Sequence, residues 1–364
     1  MSGLDESHNK FFLKSPYALE RESKKLLLLS TLQELTRFHL EHCGSYRNIL
    51  NALSFDIEKI YDYEDLPFIP VRLFKELDLF SVPDDLVVRT MTSSGTSGQQ
   101  VSKIYLDKKT AALQRKVLSQ IVSQFIGSKR LPMIVIDAAS TISNRTNFSA
   151  RAAGIMGFSS FSNDRFFALK DDMSLDLDGL QQFIRLHAGK KVLVFGFTFV
   201  VWQYFLDSLS QLKQTLELAD AVLIHGGGWK KLAGDGISSN DFRSHITNQT
   251  GIISIHDYYG MVEQTGSIFM ECEKMHLHTS NYSDVIIRSP LDFSVMPYNE
   301  TGIIEVLSMV ATSYPGHVLL TEDVGMILGE DDCNCGRKGK YFKVLGRLEH
   351  AEIRGCSDTH TPSI

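Results

Sequence analysis

The sequence predicts an α/β protein, a parallel sheet with helices on its faces followed by a small antiparallel subdomain. Three observations predict it. Helix-like and strand-like segments alternate between residues 175 and 258, and an apolar run at 133–136 has the length and β-branching of a buried strand. From Ser283 onward, short alternating strands are separated by turn residues.

The elements follow in chain order. Between residues 15 and 42, Leu19, Leu26, Leu29, Leu32 and Leu35 recur at helical spacing until Cys43 and Gly44 break the pattern, which predicts a helical lead-in. Residues 66–80 place Pro67 and Pro70 at a turn and then start a short amphipathic helix. Leu86, Val87 and Val88 predict one strand and residues 103–106 a second, so the polar stretch between them closes a hairpin. A helix over 108–125 precedes the strand at 133–136. Then come a helix at 175–187, a strand at 191–195, a helix at 199–212, a strand at 221–224 and, after a loop and a helix, a strand at 252–258. Such alternation implies parallel pairing, and ligands of such sheets bind beyond the carboxyl ends of the strands, here the loops after Phe195, Ile224 and Tyr258. The last third reads as strands at 284–288, 303–308, 317–320 and 324–328. The expected divisions are a helical lead-in over 1–85 packed on the core, an α/β core over 86–282, a β-rich subdomain over 283–355 and a mobile tail over 356–364.

Composition excludes several classes. With 364 residues, 43% hydrophobic and 22% charged, the chain can bury one large core or two smaller ones. A net charge of −6 with scattered Lys and Arg leaves no basic footprint for nucleic acid. The start lacks a basic stretch leading into an apolar core, and the apolar run at 26–29 is too short to span a bilayer, so a cytoplasmic protein without a membrane span is expected. Cysteines stand at 43, 272, 333, 335 and 356. Five in so long a chain read as ligands or nucleophiles rather than a disulfide framework.

The stretches that carry chemistry lie at the ends of these elements. Thr92, Ser93, Ser94, Gly95, Thr96, Ser97 and Gly98 crowd hydroxyls and glycines into one loop, which offers side-chain and backbone N–H donors to phosphate; a flexible polar turn has the same composition. No Walker ending follows, since Gln99 and Gln100 come next and the nearest lysine is Lys103. After the strand at 221–224, Gly226, Gly227 and Gly228 let backbone lie flat against a planar ligand, with Trp229 as a wall and Lys230 and Lys231 beyond it. Tyr259 and Gly260 lead into Glu263, a carboxylate suited to a Mg²⁺ that bridges substrate phosphates. Thr321, Glu322 and Asp323 put an Asp at a strand end, where it can grip two ribose hydroxyls, and Arg347 offers charge-assisted contact with phosphate.

Occurring together and in this order, these stretches resemble the successive core motifs of the adenylate-forming superfamily, which activates carboxylic acids with ATP, over about residues 85–355. Within it the chain most resembles the LuxE-type acyl-protein synthetases, the fatty-acid-activating component of bacterial luminescence reductase complexes. The residues that carry this likeness are Phe38 and His39 with Tyr46, Arg47 and Asn48; Ile69 and Pro70 with Leu73, Phe74 and Lys75; Thr92 to Thr96; Gly226 to Lys230; Thr321 to Asp323; and Gly355 with Cys356. The resemblance implies an adenylate-forming-enzyme-like large N-terminal domain and, because the chain stops at Ile364, no C-terminal lid domain. It implies ATP and Mg²⁺ as cofactors, a fatty acid or related carboxylic acid as substrate, and a reductase or other protein partner. The site residues it implies are Glu263 for Mg²⁺, Arg347 on the developing charge, Lys103, Lys230 or Lys231 on phosphate, and Cys356 as acyl acceptor. Cys356 sits in a polar segment beside Arg354, which favours the reactive thiolate. Without a lid to build a CoA tunnel, a protein thiol is the expected acceptor, with a phenylacetate-type CoA ligase or a non-catalytic nucleotide-binding subunit as alternatives.

A second likeness lies in Glu271, Cys272 and Glu273, in Leu277 and His278, and in Cys333, Cys335 and Arg337, which resemble phenylacetate-CoA ligase relatives, some of which hold zinc there. Three thiolates and an imidazole make a closed tetrahedral shell. Cys272, His278, Cys333 and Cys335 are the expected ligands of a structural Zn²⁺, with His276 as an alternative to His278.

Overall fold

The computed structural model describes residues 2–93, 100–143, 150–227 and 236–348. They fall into two compact units, the first of Met1–Ser93, Gln99–Val122 and Gly260–Glu352, the second chiefly of Ser123–Tyr259.

The first unit opens with α1 (Ser2–Phe11), α2 (Arg21–His42) and α3 (Gly44–Ala52). The lead-in helix thus starts at Arg21 and not near Ser15. Its predecessor residues run past Asn281, whose side-chain amide donates to the Ser15 carbonyl at 2.7 Å and whose backbone N–H donates to that of Pro16 at 2.6 Å. Leu28, Leu32, Leu35 and His39 share the buried face of α2 at helical spacing, whereas Leu26 is 70% exposed and belongs to the opposite face. Next come β1 (Ile69–Pro70) and the single turn α4 (Leu73–Glu76). The hairpin pairs β2 (Val87–Thr92) with β3 (Lys103–Asp107), Thr92 opposite Lys103. The Asp107 side chain accepts the N–H of Thr110 at 2.7 Å and so caps α5 (Lys108–Ile126).

The second unit is a parallel sheet. Its strands are β4 (Leu131–Ala138), β5 (Ser162–Leu169), β6 (Leu193–Phe197), β7 (Val222–Gly226) and β8 (Ser254–Tyr259), in the order β5-β4-β6-β7-β8, every pair parallel. Between them run α6 (Ala150–Ser159), α7 (Leu177–Leu186), α8 (Thr198–Val200), which continues through a π-helical turn (Val201–Leu206) into α9 (Asp207–Leu212), and α10 (Ser239–Thr250). Strands β6 and β7 are buried at every position, as expected of strands covered on both faces. Both end two residues later than expected, at Phe197 and Gly226, because His225 and Gly226 continue the ladder opposite Asp257 and Tyr258. Asp176 caps α7 by accepting from Gly179, and a reciprocal Ser238–Asp241 box starts α10, which Gly251 ends at φ 75°.

The chain then returns to the first unit as β9 (Phe269–Glu271), β10 (Leu277–His278), β11 (Ser283–Arg288), β12 (Gly302–Ser308), β13 (Val318–Glu330) and β14 (Lys340–Arg347). They pair antiparallel in the order β11-β12-β13-β14-β10-β9, and β1 adds in parallel to β13 through Ile69 opposite Leu319. The two strands expected at 317–320 and 324–328 are one, because no glycine or proline interrupts residues 321–323. Helix α2 docks here through a buried cluster. The Lys24 ammonium reaches the Thr279 hydroxyl at 2.7 Å and Asp284 at 3.5 Å, while Asp284 also accepts from the Tyr63 hydroxyl at 2.7 Å and lies 3.5 Å from Lys340. Among the described residues no helix is long and apolar enough to cross a membrane.

Candidate active site and metal centre

Glu263 sits in a tight turn, Val262–Gln264, and is 8% exposed. Burial raises its carboxyl above the ordinary carboxylate range, opposed by the Ser102 hydroxyl beside it and by the charges of Lys75 and Arg347. The turn is held from two sides. Gln264 donates to the carbonyls of Val306 and Gly316 at 3.1 and 2.9 Å, and the buried Tyr314 hydroxyl donates to the Glu263 carbonyl at 2.8 Å. Gly316 is required for this approach, since a Cβ there would lie 2.2 Å from the Tyr314 ring and 2.9 Å from the Glu263 oxygen.

Asp323 was expected at a strand end, and the structure places it inside β13 opposite Arg347, near the end of β14. The ladder between β12 and β13 shifts register here, with Ile303 opposite Val324 but Glu305 opposite Leu320. The Thr321 hydroxyl fills the irregularity by donating to the Ile304 carbonyl at 2.7 Å and accepting the Asp323 N–H at 3.1 Å. A bulge re-aims the side chains that follow it. Asp323 accepts from the Arg347 guanidinium at 3.1 Å, with side chains 18% and 28% exposed, so the expected ribose and phosphate contacts form one ion pair whose arginine also acts on Glu263.

Of the hydroxyl-rich loop, Thr92 ends β2 and Ser93 closes the loop's base, accepting from Ser102 N–H at 2.9 Å while its own N–H donates to the Ser102 carbonyl at 3.1 Å. Lys103 is 52% exposed and lies 3.5 Å from Asp78. In the second unit, Gly226 ends β7 against Tyr258, where a Cβ would fall 2.5 Å from the ring, so this face of the glycine meets a protein aromatic. Gly227 has φ 69°, Tyr259 is half-buried at the end of β8, and Gly260 is exposed. Ser94, Gly95, Thr96, Ser97, Gly98, Gly228, Trp229, Lys230, Lys231 and Cys356 lie outside the described residues.

The second cluster is denser. One ligand atom each from Cys272, His278, Cys333 and Cys335 lies within 4.8 Å of all the others, although the residues come from the end of β9, from β10 and from the turn between β13 and β14. Tetrahedral bonds of about 2.0–2.3 Å set donors roughly 3.3–3.8 Å apart, so this set fits a zinc ion after small adjustments. Cys335 Sγ is 3.3 Å from His278 Nε2, and His276 Nδ1 lies 3.5 Å from Cys333 Sγ. Backbone N–H groups of Lys274 and Arg337 point at the sulfurs of Cys272 and Cys335, and Arg337 is clasped by Glu273. Burial pushes the Cys272 thiol up to about 12, so a metal that claims the thiolate must displace a proton.

Several contributors carry no motif of their own. Lys75, Ser102 and Tyr314 reach Glu263 from distant parts of the chain, and only the Phe74-Lys75 pair stood out, as part of a family likeness. The Phe38-His39 likeness resolves into a brace. His39, 0% exposed, bonds Ser81 Oγ through Nδ1 at 2.7 Å and the Ala311 carbonyl through Nε2 at 3.1 Å, while His317 Nε2 meets Thr36 Oγ1 at 2.9 Å. These bonds fix α2 to the segment that delivers Tyr314.

Comparison with known proteins adds to this geometry. A family model described as acyl-protein synthetase, LuxE, matches residues 4–363. A long-chain-fatty-acid–luciferin-component ligase of Vibrio harveyi is 21% identical over 97% of this chain and 92% of its own length, and one of Aliivibrio fischeri is 22% identical with the same coverage. Among solved structures, a 2-hydroxyisobutyryl-CoA ligase in complex with 2-HIB-AMP and CoA superposes with a TM-score of 0.72 at 15% identity, covering 93% of this chain and 78% of that one. This last likeness bears on the fold alone, which is that of adenylate-forming ligases.

Proposed function

The chain belongs to the LuxE acyl-protein synthetase family, and we propose that it activates a carboxylic acid with ATP to an acyl-adenylate and passes the acyl group to a protein thiol. The observation that carries the reading is the buried Glu263 carboxyl, held in its turn from two sides, with the charge of Arg347, itself paired with Asp323, acting on it. Burial makes the ionised carboxyl costly, and a bound cation would offset that cost. Mg²⁺ bound there would neutralise phosphate charge and orient the triphosphate.

This chain's own residues then position the reaction. Asp323 accepts the ribose hydroxyls, and Arg347 turns from Asp323 toward the charge that grows at the α-phosphorus. Thr92 and Ser93, at the base of the hydroxyl-rich loop, lead donors toward the phosphates. The substrate carboxylate attacks the α-phosphorus and pyrophosphate leaves, a step that needs positioning and charge balance more than acid–base work. The activated carbonyl then meets the thiolate of Cys356, with AMP as leaving group. A fatty acid is the substrate class that the names of the relatives support, and a reductase is the partner that would consume the thioester. The zinc reading rests on the four clustered donors; a closed shell of this kind is structural and ties the β9–β10 turn to the β13–β14 turn.

Acid-dependent exchange of labelled pyrophosphate into ATP tests the reading. Exchange stimulated by an added acid supports it, and a protein that binds ATP but exchanges with no acid contradicts it. Labelling by ATP and radioactive fatty acid tests the acceptor: Cys356→Ser should keep the exchange and lose the hydroxylamine-sensitive label.

A further inference from the structure

We propose that Tyr314 is a positioning residue for the metal step: its hydroxyl fixes the peptide of Glu263, so that the carboxylate is aimed at Mg²⁺ before the nucleotide arrives. The inference rests on the reading above of Glu263 as the Mg²⁺ ligand.

The turn that carries Glu263 is weak by itself. It spans three residues, Val262–Gln264, and its closing backbone bond, from the Thr265 N–H to the Val262 carbonyl, is 3.4 Å long. So short a 3₁₀ turn is marginal in isolation. Gly266 follows at φ 91° and ends it, packed so closely on α5 that a Cβ would fall 2.7 Å from the Gln114 carbonyl oxygen. Orientation then comes from outside the turn. The Tyr314 hydroxyl donates to the Glu263 carbonyl at 2.8 Å, and the Gln264 amide donates to the carbonyls of Val306 and Gly316. Because a peptide is planar, a donor fixed on the Glu263 carbonyl fixes the plane that leaves its Cα.

Such a donor positions only if it is itself held. Residues 302–321 are buried at every position, and the strap that joins β12 to β13 is tied at successive residues. The Ala311 carbonyl accepts from His39 on α2, and Thr312 Oγ1 lies 2.6 Å from Thr110 Oγ1 on α5. The Ser313 carbonyl accepts the Ser81 N–H at 2.8 Å, while its hydroxyl donates to the Tyr105 carbonyl on β3 at 2.8 Å. His317 closes the strap on Thr36. The Tyr314 ring, 0% exposed, meets Phe74 edge-on with centroids 6.1 Å apart and planes at 85°.

Neighbouring residues of this strap therefore serve two parts of the site. Ser313 holds β3, the strand that returns from the hydroxyl-rich loop, and Tyr314 holds Glu263. A triphosphate that meets loop donors and metal together binds best when their spacing is set in advance, because ordering the turn on binding would cost affinity.

Equilibrium titration with ATP, without an acid substrate, tests this through one ratio, the dissociation constant in EDTA over that in excess Mg²⁺. Tyr314→Phe keeps the ring and removes the hydroxyl; it should lower the ratio by about fivefold or more while leaving the constant in EDTA within about twofold of wild type. Ser313→Ala loses a buried hydrogen bond of the same kind one residue earlier, on the β3 side, and should keep the ratio within about twofold. Both variants keep their packing, so both should unfold cooperatively in urea. A Tyr314→Phe ratio within about twofold of wild type, in a protein whose Glu263→Gln variant loses the Mg²⁺ effect, overturns the positioning role and leaves Glu263 as the ligand. So does an equal fall of the ratio in Tyr314→Phe and Ser313→Ala, because that pattern belongs to general loosening. Wild-type protein that binds ATP equally with and without Mg²⁺ overturns the metal reading of Glu263 itself, and the role of Tyr314 with it.

Discussion

Acid should loosen the brace that α2 makes behind the Glu263 turn, and His39 sets the size of the effect. Its Nε2 faces the Ala311 carbonyl, which can only accept, so the proton sits on Nε2 and Nδ1 accepts from the Ser81 hydroxyl. Full burial pushes this imidazole down to about 3, against a smaller opposing pull from the Ala311 carbonyl. Because the folded value lies below the unfolded value of about 6.5, His39 contributes stability that is complete above about pH 6.5 and is lost as the pH falls toward about 3. The loss follows RT ln(1 + 10^(6.5 − pH)), roughly 0.06 kcal/mol at pH 7.5 and about 1.4 kcal/mol at pH 5.5. Urea unfolding of wild type and His39→Gln, run in parallel at those two values, isolates this group from every other titration. The stability gap between the proteins should shrink by about 1.4 kcal/mol on going from pH 7.5 to 5.5. A gap unchanged between the two would mean that His39 titrates in the folded protein as it does in the unfolded chain, and the brace would not be the buried neutral one described.

Other outcomes follow from the site. Glu263→Gln should lower pyrophosphate exchange by about 100-fold while leaving the unfolding midpoint in place, since one charge at the phosphates is removed and no packing is. Burial raises the Glu263 carboxyl, so its ionised form gains ground as pH rises and the apparent Mg²⁺ affinity should increase with pH above the ordinary carboxylate range; a flat or inverse dependence counts against Mg²⁺ at this residue. Asp323→Ala should raise KM for ATP more than it lowers kcat, and equal losses in both would remove the ribose from Asp323. Protein purified without chelator should carry one zinc per chain by elemental analysis, and its removal should expose amides of β9, β10 and β14 to hydrogen exchange before those of β6 and β7; metal-free protein with unchanged exchange would contradict the closed shell.

The parallel core was legible because fully buried strands favour continuous apolar runs, as at 192–195 and 221–224, and helices of ordinary amphipathic spacing separate them; the strand ends at Gly196, His225 and Gly226 lie outside those runs and were missed. Strand β5 escaped notice because Asn163, Asp164 and Arg165 are exposed and break the apolar pattern at the sheet edge. Cys272, His278, Cys333 and Cys335 stood out before any geometry was available because a family likeness picked out their two stretches and the chain has only five cysteines, whereas the choice between His276 and His278 needed the structure. The strand-end position of Asp323 did not read correctly, since a bulge inside a long strand has no marker in a stretch without glycine or proline. The Tyr314 hydroxyl meets the Glu263 carbonyl, and the charge of Lys75 acts on the Glu263 carboxyl, only through tertiary packing, which periodicity and spacing do not encode.

Transfer of oxygen from acid to AMP tests acid activation most directly. Protein, MgATP and an acid carrying ¹⁸O in its carboxylate are incubated with hydroxylamine as trap, and the nucleotide and pyrophosphate are weighed by mass spectrometry. Attack by the carboxylate on the α-phosphorus leaves one ¹⁸O in each AMP formed and none in pyrophosphate, which is the predicted result. Unlabelled AMP, or label in pyrophosphate or inorganic phosphate, would contradict activation through an acyl-adenylate.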